Sequence, residues 1–276
     1  MNEKSNHDKY VEEVWHSILT TGFSTNENRY RQLFGRLPSN PRCRICNAPF
    51  KGIGGSVVRI LLDKRQSNLN PNLCNACEKF AIENQGGAEI ELSLLFADVR
   101  GSTTLAEKMS ALQFSQLINR FYNSVTDVLI RSDALIDRLV GDQVIGLFVP
   151  GFAGSEHAQH AIKAAQDIMV ATGHGMPDRA RIPLGIGVHT GTAFVGAVGS
   201  KDGTMDITVL GDAANTAARL SSSAADGEIL VSETAWETAA LKMLPPEKRT
   251  LDLKGKTEPV AVYALMDYVH FTHQNT

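Results

Sequence analysis

The stretch Leu94–Thr104, "LLFADVRGSTT", decides how the larger part of this chain folds. Its first half is an apolar run of the kind that forms a buried strand, and the run ends in Asp98. A carboxylate at the edge of a core is costly unless something cationic meets it. We therefore expect Asp98 either to cap a helix or to hold a metal ion.

Around this strand, after Gly87, the hydrophobic pattern alternates between periods of 2 and 3.6 residues, which is typical of mixed α and β domains. Strands are predicted at 89–98, 134–140, 143–149, 182–188, 192–198, 207–210, 228–231, 250–254 and 259–266. Helices are predicted from about 102, through 117–129, at 155–172 and from 211 to about 221. Thr104 and Glu107 have capping-box spacing, which predicts the start of the first of these helices.

Composition sets limits on the class of protein. The chain has 276 residues, 43% of them hydrophobic and 21% charged, with a formal net charge of −3. That length suits one domain of about 150 to 200 residues plus a smaller appendage. No apolar run approaches the roughly 18 to 20 residues of a membrane span, and the start "MNEKSNHDKY" has no signal-peptide core. We expect a cytoplasmic protein that binds neither membrane nor nucleic acid.

All four cysteines form two CxxC pairs, Cys43/Cys46 and Cys74/Cys77. In a reducing compartment, two such knuckles indicate a tetrahedral thiolate metal site rather than disulfides. A structural zinc ion is the leading interpretation, and an iron–sulfur cluster or a redox dithiol are the alternatives. The simplest role is a staple for a segment too small to fold alone.

Three regions follow from these patterns. Residues 8–21 have apolar side chains at helical spacing, and 22–42 are polar and predicted to be a linker. A metal-knuckle module is assigned to 43–85, and the Gly86-Gly87 pair marks its boundary with a catalytic domain over 86–276. The helix and linker together make up 1–42.

Two turns concentrate the polar chemistry of the larger domain. Asp98 ends the first strand, and Asp142 lies at the tip of the predicted hairpin "VGDQV". In a β-α-β-β arrangement the first strand lies beside that hairpin, so the two carboxylates could converge. Such oxygen ligands suit Mg²⁺ or Mn²⁺, and the amides of 99–104 at a helix start suit phosphate oxygens. Together these features predict a site for metal and phosphate.

Five stretches occur in an order that carries a family resemblance. They are "LSLLFADVRGSTTLAEKM", "IDRLVGDQVIGLFVPG", "GIGVHTGTAFVGAVGS", "DITVLGDAANTAARL" and "LKGKTEPVAVYAL". They resemble successive motifs of the class III adenylate/guanylate cyclase catalytic domain, over roughly residues 88–267. The resemblance implies an α+β fold: a ferredoxin-like βαββαβ core with extra C-terminal strands, preceded here by a helix and the metal-knuckle module.

The resemblance also implies roles for individual residues. Asp98, Asp142 and the carbonyl of Val99 match the ligands of two Mg²⁺ or Mn²⁺ ions. Asn215 and Arg219 match the pair that orients the ribose and stabilises charge on the reacting α-phosphate. The other predicted substrate-binding residues are the triphosphate-binding Lys254, the purine-selecting pair Arg138 and Thr208, and the phosphate turn Gly101, Ser102 and Thr103.

The implied activity is conversion of ATP to 3′,5′-cyclic AMP and pyrophosphate. In this family the metal aspartates come from one protomer, and the purine pair, the Asn and the Arg come from the other. This chain holds both half-sets, so the resemblance predicts a symmetric homodimer with two active sites in its interface.

Two alternatives stay open. Arg138 stands where adenylate cyclases usually have lysine, and Arg and Lys are not equivalent donors. Neither Arg138 nor Thr208 matches the Glu/Cys pair of guanylate cyclases, so ATP is favoured over GTP. A guanylate cyclase is one alternative, and the other is a catalytically weak regulator that binds nucleotide and docks a regulatory protein partner through its Cys module.

Three histidines are weighed as further candidates. His157 and His160 have metal-pair spacing, but we expect them on a solvent-facing helix. His189, in "GVHTG", is expected to make a structural hydrogen bond.

Overall fold

A computed structural model describes residues 6–37, 41–200, 205–242 and 246–266, with the side chains of 25 and 138–140 outside the description. The N-terminal helices are α1 (Asn6–Thr21), α2 (Thr25–Arg36), α3 (Gly52–Leu62) and α4 (Asn75–Glu83). Then come β1 (Gly86–Val99), α5 (Ser102–Lys108), α6 (Ala111–Arg131), β2 (Leu135–Val140), β3 (Gln143–Phe148), α7 (Pro150–Ala153), α8 (His157–Ala171) and β4 (Leu184–Gly199). The remaining elements are β5 (Met205–Leu210), α9 (Asp212–Ser223), β6 (Glu228–Ser232), α10 (Glu233–Ala239), β7 (Glu247–Leu251) and β8 (Val260–Leu265).

The strands form one sheet in the order β2-β3-β1-β4-β6-β8-β7, and β5 pairs with the far half of β4. Among the first four strands each paired neighbour is antiparallel, and helices connect β1 to β2 and β3 to β4. This is the βαββαβ arrangement, so the predicted α+β, ferredoxin-like core with extra C-terminal strands is confirmed.

β1 and β4 form the spine of the sheet. They pair without interruption from Gly86↔Ala197 to Val99↔Leu184. The prediction of separate strands at 182–188 and 192–198 is wrong, because Gly191 lies opposite Leu92 and the long partner strand carries the ladder through it. A glycine weakens a strand interior, but here the ladder with β1 continues through it.

Helices cover both faces of the sheet. One face packs on α6, α8 and α10 around a core that includes Phe121, Phe148 and Met169. The other face packs on α1, α9 and the Cys module, with Leu92, Leu94 and neighbouring apolar residues in a second core. The Cys module is therefore part of the core on the second face of the sheet.

The linker predicted for 22–42 is wrong over most of its length, because α2 occupies Thr25–Arg36. Its sequence is polar, yet Arg31 and Phe34 are only 2% and 3% exposed. Long-range contacts of these two side chains stabilise a helix that its own hydrophobic pattern does not indicate. Between the knuckles, α3 was also not predicted, and it leaves a row of large apolar side chains exposed, namely Ile53, Val57, Ile60 and Leu61.

The predicted capping box of Thr104 and Glu107 is also wrong. α5 begins after Gly101, which has a left-handed φ of 64° and makes no side-chain cap. The capping box belongs to the next helix, where Ser110 accepts from the Gln113 amide and Gln113 reaches back to the Ser110 amide. A left-handed residue at the turn between β1 and α5 explains why glycine stands there.

Candidate active site and cysteine cluster

The antiparallel pairing of β1 with β3 places Asp98 opposite Gln143, beside the β2–β3 turn that carries Asp142. The amide of Val99 donates to the carbonyl of Asp142 over 3.0 Å, which ties the two acidic positions together through the backbone. The Asp98 side chain is 18% exposed, and Asp142 is half-buried. Two carboxylates at one edge of a sheet are an oxygen donor set that fits Mg²⁺ or Mn²⁺.

Arg100 is a residue of this site that the sequence analysis missed. Its guanidinium forms an ion pair with the Asp98 carboxylate, and its Nη1 donates to the carbonyl of Ser222 over 3.0 Å. Burial lowers the pKa of Arg100, while the negative charge of Asp142 opposes the shift. The guanidinium therefore offsets part of the negative charge of Asp98 and links this carboxylate to the end of α9. An arginine two residues after the aspartate was the available clue.

The metal turn is also held from the helix side. The Tyr122 hydroxyl, on α6, donates to the carbonyl of Gly141 over 2.6 Å. Gly141 has a φ of 61°, so this tight turn needs a residue that tolerates a left-handed conformation. An open groove of about 620 Å³ lies alongside, between the start of α5, α6 and Asp142. Ser102 and Thr103 line this groove.

Fewer backbone amides are available to bind phosphate than the sequence predicts. The amide of Val99 is used by Asp142, and the amide of Arg100 donates to the carbonyl of Pro183 over 2.9 Å. These two amides cannot also face a phosphate, so the expectation is wrong for them. The amides of 101–103 lie at the first turn of α5, where N–H groups lack acceptors within the helix.

Asn215 and Arg219 lie one turn apart on α9, and both are exposed. The opposite side of α9 packs on β4 so closely that a side chain at Gly187 would collide with the backbones of Ala217 and Ser221. Because successive helical residues are about 100° apart, Arg219 points roughly 200° away from Ala217. Both predicted catalytic side chains therefore face away from the sheet that carries Asp98 of their own chain.

Lys254 is exposed in the turn between β7 and β8. Its neighbour Lys256 places Nζ 2.6 Å from the Asp212 carboxylate at the start of α9. This ion pair brings the lysine-containing turn to the helix that carries Asn215 and Arg219.

The predicted purine pair lies on β2 and β5. These strands are not paired with each other in the sheet, yet they are in contact. Thr208 is 3% exposed within β5. Arg138 is in β2, but its side chain lies outside the described part of the structure.

The four cysteines come together as predicted. Their ligand atoms all lie within 4.8 Å of one another, and each residue is less than 9% exposed. The sulfurs of Cys46 and Cys74 are 3.7 Å apart. A tetrahedral zinc ion with Zn–S bonds of about 2.3 Å requires sulfur–sulfur distances of about 3.8 Å, so one ion fits. A multi-iron cluster would need the sulfurs farther apart.

The surroundings of the cluster lower the pKa of two thiols, Cys46 and Cys74, and raise the pKa of the other two, Cys43 and Cys77. The amide of Cys74 donates to the sulfur of Cys43 over 3.3 Å. Hydrogen bonds from Cys43, Cys46 and Cys77 lower the pKa of Cys74, whereas burial raises the pKa of Cys43. A buried group of thiolates needs a cation to offset its charge, which agrees with the metal-site geometry.

Two of the three histidine expectations can be decided. His189 makes the predicted structural hydrogen bond, with Nδ1 2.9 Å from the Ser232 hydroxyl oxygen. The solvent-facing position expected for His157 is wrong: it is 4% exposed and lies 2.9 Å from the Ser93 hydroxyl oxygen. Burial lowers the pKa of His157. His160 is half-buried.

A βαββαβ core with two carboxylates beside an open groove is the arrangement expected of a nucleotide cyclase. Residues 87–267 match the family described as the adenylate and guanylate cyclase catalytic domain. The chain belongs to this class III adenylate/guanylate cyclase family.

Among the described helices, none is long and apolar enough to cross a membrane.

Curated relatives are longer proteins. The chain is 28% identical over 199 residues to an adenylate cyclase of Anabaena cylindrica, covering 66% of this chain and 38% of that one. It is 30% identical over 139 residues to adenylate cyclase 1 of Rhizobium meliloti, covering 47% of this chain and 20% of the relative. The matched part of this chain therefore spans less than half the length of either relative.

Solved structures share the fold over nearly their whole length. The guanylyl cyclase Cya2 is 25% identical with a TM-score of 0.60, covering 65% of this chain and 93% of that one. The adenylyl cyclase CyaB from P. aeruginosa is 27% identical with a TM-score of 0.59, covering 66% and 96%. These similarities support the family and do not choose between ATP and GTP.

Proposed function

We propose that this chain is an adenylate cyclase that converts ATP to 3′,5′-cyclic AMP and pyrophosphate in a homodimer. The observation that carries the proposal is the placement of Asp98 at the end of β1 next to the turn of Asp142, with the Val99 amide 3.0 Å from the Asp142 carbonyl oxygen. This is where the family's metal aspartates are expected.

The reaction forms a bond between the ribose 3′-oxygen and the α-phosphorus of the same ATP. The bond from that phosphorus to the oxygen leading to the β-phosphate breaks, pyrophosphate leaves, and the hydroxyl proton is released. Two Mg²⁺ or Mn²⁺ ions held by Asp98, Asp142 and the Val99 carbonyl would lower the pKa of the hydroxyl and offset the charge of the leaving group.

The protein side chains position the nucleotide and stabilise charge. In the proposal Asn215 orients the ribose, and Arg219 donates to the α-phosphate as charge develops there. A guanidinium suits this role because it stays charged and donates in a fork. Lys254 provides a compact charge for the triphosphate, and the amides of 101–103 bind phosphate oxygens.

The direction of α9 supports the proposed homodimer. Arg219 faces away from the sheet of its own chain, so it is suited to a site whose aspartates belong to a second copy. A two-fold axis would then create two equivalent sites. A monomer is expected to be inactive.

ATP is the proposed substrate because Arg138 and Thr208 do not match the Glu/Cys pair of guanylate cyclases, and because both relatives described above are adenylate cyclases. Mispaired polar groups in a base pocket cost about 1 to 3 kcal/mol each, which is enough to discriminate between purines. Cytoplasmic signalling and a regulatory protein partner remain predictions.

The activity test compares the wild type with Asp98→Asn, each incubated with ATP and Mn²⁺ at concentrations where the protein is dimeric. We expect cyclic AMP from the wild type and a loss of about 100-fold or more in the variant. Glu89→Gln, an exposed position on β1, is the matched control. Equal product from wild type and Asp98→Asn would favour the nucleotide-binding regulator, and faster turnover of GTP would favour a guanylate cyclase.

Mixing two inactive variants tests the shared site. Asp98→Asn and Arg219→Ala are each expected to be inactive alone. In an equal mixture half of the dimers combine one of each, and each such dimer has one intact site out of two, so about a quarter of wild-type activity should return. No recovery, with mixed dimers demonstrated, would contradict sites shared between protomers.

We further propose that Cys43, Cys46, Cys74 and Cys77 bind one structural Zn²⁺. The 3.7 Å sulfur separation and the tight cluster support a single ion. Elemental analysis of protein purified without air should find about one zinc per chain. Iron in its place, with visible absorption, would favour the iron–sulfur alternative.

A further inference from the structure

The first cysteine knuckle contacts the strand that carries the predicted purine-binding arginine. Arg44 lies inside the knuckle, between Cys43 and Cys46. Its Nη1 donates to the carbonyl of Asp137 over 3.0 Å, and its own amide donates to Asn72 in the second half of the module. The position after Asp137 is Arg138. The knuckle is therefore hydrogen-bonded to the backbone immediately before the predicted purine-binding residue.

The contact falls on an irregularity in β2. The ladder with β3 pairs Ile136 with Gly146 and Leu139 with Val144, so two residues of β2 lie opposite the single residue Ile145. Such a bulge leaves strand groups outside the ladder and redirects side chains, often beside functional sites. Arg44 supplies a donor to a carbonyl within this bulge.

The second knuckle contacts the strand that carries Thr208. Asn70, four residues before Cys74, is 3% exposed and donates from Nδ2 to the carbonyl of Met205 over 2.8 Å. Its orientation is fixed, because its Oδ1 accepts from the Asn72 amide over 3.0 Å. Met205 begins β5, three residues before Thr208. Asn70 therefore donates a hydrogen bond to the backbone of β5, just as Arg44 donates one to the backbone of β2.

The sheet does not set the separation of these two strands. Among the described strands, β2 pairs only with β3 and β5 pairs only with β4, and β1 and β3 lie between β2 and β4 in the sheet. The two strands nevertheless contact each other across the face covered by the module. The two donors are joined through the knuckles, whose sulfurs Cys46 and Cys74 are 3.7 Å apart. The cysteine cluster is thus a bridge between strands that no ladder connects.

We infer that Arg44 and Asn70 are positioning residues for the nucleotide base, and that the cysteine module sets the separation of β2 and β5 and so the fit of the purine. This inference rests on the proposed cyclase function. It assigns the module a part in substrate affinity and base choice as well as in stability. The chemistry at the α-phosphate lies at the other end of the nucleotide and does not involve either residue.

The test uses Arg44→Met and Asn70→Asp in the full chain. The second substitution keeps the oxygen that accepts from Asn72 and replaces the donor to Met205 with a carboxylate oxygen. Arg59→Met and Asn68→Asp, at exposed positions of the same module, are the matched controls. KM for ATP, kcat, the ratio of kcat/KM for ATP and GTP, and zinc content are measured for each.

We expect each variant to raise KM for ATP about three- to tenfold, with kcat within about twofold of wild type and one zinc retained. The ratio for ATP and GTP should move toward one. The Kd of 3′-deoxy-ATP, which lacks the attacking hydroxyl, should weaken by the same factor as KM. The control variants should match the wild type in all of these measurements.

Unchanged KM and Kd in both zinc-bound variants would overturn the inference, as would a fall in kcat alone. If Arg44→Met loses zinc, Asn70→Asp decides the question by the same measurements. A wild type that makes no cyclic nucleotide would refute the proposed function instead. In that case the Kd of 3′-deoxy-ATP still tests whether the module positions the base.

Discussion

Replacing Arg31 with methionine should strongly destabilise the protein. Arg31 is 2% exposed and pairs with Asp133 over 2.9 Å, at the entry to β2. It also donates to the carbonyls of Ile45 in the first knuckle and of Ala134, over 2.9 Å and 2.8 Å. One side chain therefore joins α2, the Cys module and the catalytic core.

The expected cost follows from what the substitution leaves behind. Methionine keeps most of the apolar stem, so the main loss is polar. Arg31 Nη2 also donates to the Asp133 carbonyl over 3.3 Å, so three carbonyls lose a donor. Two of them belong to buried residues, Ile45 and Ala134, which are 8% and 1% exposed, and each buried acceptor without a donor costs about 1 to 3 kcal/mol. The Asp133 side chain is 29% exposed and can regain water, which limits its contribution. Two such acceptors together cost about 2 to 6 kcal/mol. This range brackets the value of about 3 to 5 kcal/mol found when one partner of a buried ion pair is removed.

Urea denaturation of the zinc-bound protein measures this change in the free energy of unfolding. Arg29→Met, an exposed position on the same helix, is the control and should change the free energy by less than about 0.5 kcal/mol. A loss below about 1 kcal/mol in Arg31→Met, with an unchanged m-value, would refute the view that Arg31 joins the module to the core.

Three further results are expected. Tyr122→Phe removes the hydrogen bond to Gly141 and should raise the Mn²⁺ concentration for half-maximal activity about two- to tenfold, whereas an unchanged metal titration would contradict this role. Burial lowers the pKa of His189 to about 4, and the positive charge of Lys256 contributes to this shift. In the unfolded chain this histidine has a pKa of about 6.5, so below that pH the unfolded state binds a proton that the folded state does not. The free energy of unfolding should therefore fall by up to about 3 kcal/mol as the pH drops from 6.5 toward 4. Urea titrations should show a shallower pH slope for His189→Gln, and parallel slopes would exclude this contribution. Chelating the cysteine-bound metal should lower the Tm by about 5 °C or more, and an unshifted Tm in metal-free protein would contradict a structural ion.

The sequence alone predicts much of the catalytic core, because its elements follow local patterns. The apolar run before Asp98, the Gly141-Asp142 turn and the helix after Gly211 are found at the expected positions. The proximity of Asp98 and Asp142 could also be anticipated, since hairpin topology dictates which strand ends meet. The four cysteines cluster as their spacing indicates.

Features that depend on distant partners could not be predicted. α2 forms around Arg31, whose partner Asp133 is 102 residues away in sequence. His157 is buried against β1, where its Nδ1 lies within hydrogen-bond distance of the Ser93 hydroxyl. Local periodicity contains no information about such partners, so a polar helix resembles a linker and a buried histidine resembles an exposed one.

Arg100 and the module contacts show the same limit at the site. An arginine after a strand has many uses, and only the approach of Ser222 and Asp98 from separate elements shows this one. Nothing in the sequence indicates that the side chains of Arg44 and Asn70 hydrogen-bond to β2 and β5. The roles proposed for Asn215, Arg219 and Lys254 rest on the family motifs, while the structure gives their exposure and direction.

The pairing of Arg31 with Asp133 has a consequence for synthesis of the chain. The two residues are 102 positions apart, so at about 5 to 20 residues per second a ribosome needs about 5 to 20 s between them. During that interval the four cysteines can bind their metal, but Arg31 has no ion-pair partner because Asp133 has not yet been synthesised. The nascent module should therefore remain loosely docked until β2 emerges, and expression of the first 85 residues alone should produce a fragment with this cation permanently unmatched.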